Sequence, residues 1–188
     1  MDQELFGERG RVLEEDFFRR QNAELLTSMR SQSESVHVRD ALRSTTGIDD
    51  EVLLAHMMEL GMTAATLTAA ALIPLVTIAW ADGTLEEAER RQIFRDPLVA
   101  GLSEAANTLL TSWLLTPPDA TLFDTWVAYT RSLLPKVSPS ARSSLKSATI
   151  ARATVVAEAA GGGPYRVGRR TSAEEQSVIQ KIEAAFEA

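Results

Sequence analysis

Two histidines, His37 and His56, and no cysteine represent the most versatile catalytic side chains in this 188-residue sequence. The missing cysteines remove a thiol nucleophile, a thiolate metal site and a disulfide framework. His56 sits among apolar residues on a helix and reads as a packed or hydrogen-bonded side chain. There is no His-Glu-x-x-His, no Gly-x-Ser-x-Gly and no phosphate loop. Gly161-Gly162-Gly163 lacks the Gly-Lys-Ser/Thr ending and reads as a flexible break. The chemistry that remains is binding. Arg166, Arg169 and Arg170 cluster after that break and can hold an anionic partner. Val12, Leu13, Phe17 and Phe18, flanked by Arg19 and Arg20, can enter a partner's groove as amphipathic helices do. Acids collect at helix starts, where they satisfy free amides and complement the helix dipole.

These groups must be held by helices. Alanine, the best helix former, occurs 27 times, and only 6% of the residues are aromatic. Hydrophobic residues make up 45% and charged residues 24%, enough for a sizeable core and a hydrated surface. The net charge of −7 argues against nucleic acid as the main partner. The length suits one domain, or one domain with an arm. Acids rather than basic residues follow Met1, so the start reads as a cytoplasmic chain without a secretory signal.

Periodicity and capping predict about eight helices and no strand. A long, polar helix covers 8–31 and a short one 33–46, ended by Gly47. Asp49 or Asp50 caps a third over 51–60, ended by Gly61. Thr63 opens an apolar helix to Ala81, with Pro74 bending it from inside. Leu60 to Ala81 is uncharged over 22 residues, long enough to span a bilayer. More than half of those residues are Ala, Thr, Gly or Pro, and acids flank them, so the stretch reads as a buried central helix. Asp82-Gly83 breaks it. Thr84-Leu85-Glu86-Glu87 then reads as a capping box, with Thr84 on the Glu87 amide and Glu87 reaching back. Further helices cover 85–94, 98–115, 120–134 and 139–160. A last one follows the box Thr171-Ser172-Ala173-Glu174 and runs to Phe186. Trp80, Trp113 and Trp126 fall on apolar stripes and are expected in the core, their indole N–H groups finding local acceptors.

An internal repeat stands out. Ala79, Ala81 and Gly83 match Ala157, Ala159 and Gly161, and Glu89 and Ile93 match Glu175 and Ile179. Each copy sets a small-residue helix against a glycine break and then a helix that starts with acids. The stretch from Leu72 to Arg90, with Ala79-Trp80-Ala81-Asp82-Gly83 at its centre, resembles the signature of the tellurite-resistance TerB-like family. The resemblance covers roughly 50–188. It implies an all-α bundle of two related halves in a cytoplasmic bacterial protein linked to stress response and membrane-associated complexes. It also implies a divalent ion, Ca²⁺ or Mg²⁺, at Asp82 and Glu89 with Glu86 nearby. The second half departs from the pattern: Ala160 stands where the matching Asp would be, and only Glu175 survives. A hard cation wants six or more oxygen ligands, so three carboxylates make a thin site. No acid lies two or four residues before Asp82, which excludes an EF-hand.

Residues 8–22 also resemble the start of the small helical zeta-type inhibitor of bacterial ATP synthase. The sequence thus leads to an all-α TerB-like bundle over 47–188 with a helical arm over 1–46. The expected function is a non-enzymatic interaction module, with a regulatory inhibitor of an ATPase as the alternative. The expected partner is a protein, with a second copy of the chain among the options. No transmembrane segment is expected.

Overall fold

The computed structural model describes residues 29, 31–160 and 171–187. They hold eight α-helices and no strand. Helix α1 covers residues 31–46. It is followed by α2 (Glu51–Glu59), α3 (Ile73–Ala79), α4 (Glu87–Phe94), α5 (Glu104–Leu115), α6 (Thr121–Leu133), α7 (Pro139–Ala160) and α8 (Ala173–Ala185). No helix among the described residues is long and apolar enough to cross a membrane.

Helix α2 begins as its sequence demands. The Asp50 carboxylate accepts from the amides of Val52 and Leu53, at 2.9 and 3.1 Å. It ends at Gly61, whose φ of +80° is open to glycine at no steric cost. A Cβ there would lie 2.9 Å from Leu109 Cδ1, so the turn also needs the missing side chain.

The apolar stretch behaves differently from expectation. A 3₁₀ segment, Leu67–Leu72, precedes α3, and Pro74 falls in the first turn of α3. Proline is tolerated there because a first-turn amide has no intrahelical acceptor. Pro74 therefore starts a helix instead of bending one. The expected helix over 98–115 is likewise two pieces, a 3₁₀ turn at Val99–Gly101 and then α5. Leu102 is extended, and the Ser103 hydroxyl restarts the helix by accepting from the Ala106 amide at 3.1 Å.

Helix α3 is the central element, with Ile73, Pro74, Leu75, Val76, Ile78 and Ala79 all buried. It packs on α7, α8, α6 and α4, while α7 also packs on α4 and α8. Leu42 near the end of α1 joins the same core. Side chains cap the helix ends. Trp80 Nε1 donates to the Trp113 carbonyl and Arg90 Nη2 to the Leu114 carbonyl, both at 2.9 Å, which satisfies the last turn of α5. Lys136 Nζ donates to the carbonyls of Thr46 and Gly47 at the end of α1. Trp113 and Trp126 are buried and Trp80 is half-buried. Trp126 meets Phe186 edge-on, with ring centres 6.1 Å apart.

Candidate functional site

The turn after α3 is held by Asp82. Its carboxylate accepts from the Thr84 amide and the Thr84 hydroxyl, both at 2.9 Å. The hydroxyl expected on the Glu87 amide is therefore used backwards, toward Asp82. The cap of α4 lies two residues later. Glu86 is the N-cap residue, and the Glu89 carboxylate reaches back to accept from the Glu86 amide at 2.9 Å. At α8 the box shifts by one residue. Ser172 is the N-cap, its hydroxyl accepts from the Glu175 amide at 3.1 Å, and the Glu175 carboxylate accepts from the Ser172 amide.

The two N3 glutamates thus occupy matching positions, and both are buried, Glu89 at 3% exposure and Glu175 at 7%. The residues paired with them in the repeat behave alike: Ala79 and Ala157 are buried, and so are Ile93 and Ile179. Burial pushes the Glu89 carboxyl up to about 7, against the pull of the Glu86 amide. The carboxylates of Glu175, Glu86 and Asp82 add to the rise. Glu89 therefore keeps its proton up to near neutrality.

Asp82, Glu86 and Glu89 do not fit a cation centre as the TerB resemblance implies. Asp82 and Glu86 are exposed, Glu89 is buried, and Asp82 and Glu89 are each spent on a backbone amide. Among the described residues no group of three or more His, Asp or Glu side chains is placed to hold a metal ion. The expected partner-binding residues Val12, Leu13, Phe17, Phe18, Arg19 and Arg20 lie outside the described residues. So do the expected anion-binding residues Arg166, Arg169 and Arg170.

A concavity went unread in the sequence. A cavity of about 410 Å³ opens between the Leu67–Leu72 segment, α6, the Leu134–Lys136 turn, α7 and Phe186. Leu67, Ala70, Trp126, Leu133 and Leu134 form much of its apolar wall, and Lys136 and Arg152 bring positive charge. No short motif encodes it. It needs four separate stretches of chain brought together, with small residues on one side and aromatic rings on the other.

Residues 31–37 of α1 are all exposed, Val36 at 49%, and Met29 before them is 58% exposed. The same helix buries Leu42 and Thr46 further on. Its N-terminal half thus stands clear of the bundle that anchors its end. Comparisons with protein-family models, curated proteins and solved structures give no match to this chain.

Proposed function

We propose that the chain is a non-enzymatic interaction module, a TerB-like bundle that engages a protein partner through the N-terminal arm. The observation that carries the reading is α1 itself. Residues 31–37 are exposed around the whole helix, and Met29 and Val36 leave apolar surface in water. Two turns of helix exposed to solvent are marginal in water without tertiary packing, and a partner groove would supply that packing. The preceding sequence offers the anchors, with Val12, Leu13, Phe17 and Phe18 set among charges. The TerB-like part of the reading draws support from the repeat, whose paired alanines, glutamates and isoleucines share their burial.

The test is affinity capture from the native cell with the intact chain and with a chain lacking residues 1–30. The intact chain is expected to retain a defined protein and the shortened chain to lose it. Equal recovery by both would overturn the proposal.

A further inference from the structure

The cavity beside Trp126 has a chemistry of its own, separate from the arm. At about 410 Å³ it falls within the range of small-molecule pockets. Its wall contains two cations, Lys136 and Arg152, and no carboxylate. That is notable in a chain with 26 acids against 19 lysines and arginines. Lys136 Nζ is held by two neutral carbonyls, Gly47 at 2.5 Å and Thr46 at 3.3 Å, and forms no ion pair among the described residues. Arg152 Nε donates to the Ala148 carbonyl at 3.1 Å. Its Nη1 reaches Asp96 Oδ1 only at 3.9 Å, the far limit of an ion pair.

Hydroxyl groups point the same way. Thr130 and Thr149 line the cavity and are 8% and 6% exposed. Neither hydroxyl has a hydrogen-bond partner among the described residues. Elsewhere Thr45, Thr46, Thr77 and Thr154 each donate to the carbonyl four residues back. The Tyr129 hydroxyl, also on the wall, is without a partner among the described residues too. A wall that carries three hydroxyls without a protein partner can offer hydrogen bonds to a polar atom from outside.

We infer that this cavity binds an organic anion with an apolar body, a medium-chain aliphatic carboxylate. The Lys136 and Arg152 cations receive the head group by charge-assisted hydrogen bonds, with the threonine hydroxyls as further donors. The aliphatic body lies on Leu67, Ala70, Trp126 and Leu133, where it removes apolar surface from water.

The experiment uses the full chain and 10-bromodecanoate, whose bromine quenches a nearby indole. Trp126 is on the wall, whereas Trp80 and Trp113 are not. Saturable quenching is expected, calorimetry on the unsubstituted chain should report binding of decanoate, and Trp126→Phe should abolish the quenching. Decanol, with the same body and no charge, should bind about tenfold or more weakly. Arg152→Gln and Lys136→Gln should each weaken decanoate by about the same factor. Lys136 also ties down the end of α1, so the Arg152 variant and Ala71→Trp, at an exposed position on the wall, serve where Lys136→Gln fails to fold. Ala71→Trp should block the probe. Absence of saturable binding, quenching that persists in Trp126→Phe, or decanol binding as tightly as decanoate would each overturn the inference.

Discussion

Glu89 shows how a single residue can serve its helix and still oppose folding. As an N3 carboxylate it holds the Glu86 amide and complements the dipole of α4. Burial acts against its charge and wins, because its carboxyl titrates near 7 and not near its ordinary 4.5. The folded chain keeps a proton that the unfolded chain has already released at pH 6. Stability therefore falls as pH rises from about 4.5 to about 7, and the loss is complete above that window. Glu89→Gln keeps an oxygen for the Glu86 amide and removes the charge. It should stabilise the chain by about 1–3 kcal/mol at pH 8 and change it little at pH 4.5, as read by urea denaturation at both values. Destabilisation at pH 8 would mean that the ionised cap contributes more than burial takes away. Glu175→Gln should lower the Glu89 titration point, because the Glu175 carboxylate is one of the groups that raise it. Carbon-13 shifts of the glutamate carboxyl give that value directly.

Between residue and bundle, the helices are set by turns that tolerate little change. Gly61 joins α2 to the apolar segment at φ +80°, with Leu109 packed against the place where a Cβ would stand. Gly61→Ala should cost about 1–2 kcal/mol for the left-handed backbone alone, with more from the contact, measured as a loss of denaturation midpoint. Trp80→Phe removes the N–H that caps α5 at Trp113 and should cost about 1 kcal/mol in the same assay. The element order was legible because caps and breakers stand in plain view: Asp50, Gly47 and Gly61 each sit where a helix starts or stops. The cap registers were not. Thr84-x-x-Glu87 and Glu86-x-x-Glu89 overlap, and both have a spacing that fits a capping box. The second prevails because Glu89 shares a face with Ile93, and both are buried. Pro74 was read as a bend for a similar reason. A periodic apolar run does not reveal that its first part winds as a 3₁₀ segment and that the α-helix begins only at Ile73.

For the whole molecule, the repeat carried the most information. Its matched Ala79 and Ala157, Glu89 and Glu175, and Ile93 and Ile179 are buried in pairs, and α3, α4, α7 and α8 pack on one another around them. The cavity was invisible because it belongs to no repeat and to no single helix. Helix α1 was read as part of an arm, and it divides in two: its end joins the core through Leu42, while residues 31–37 stand in solvent. Removing residues 1–30 should therefore leave the melting temperature within a few degrees of the intact chain, because the core of the described residues begins only at Leu42. The central claim is that this exposed start of α1 is a contact surface for a partner. Hydrogen–deuterium exchange on the intact chain, alone and with its captured partner, tests it most directly. The account predicts slowed exchange over residues 31–37 on binding, together with loss of capture in a Phe17→Asp, Phe18→Asp double variant. Slowed exchange confined to other helices, with residues 31–37 unchanged, would contradict it.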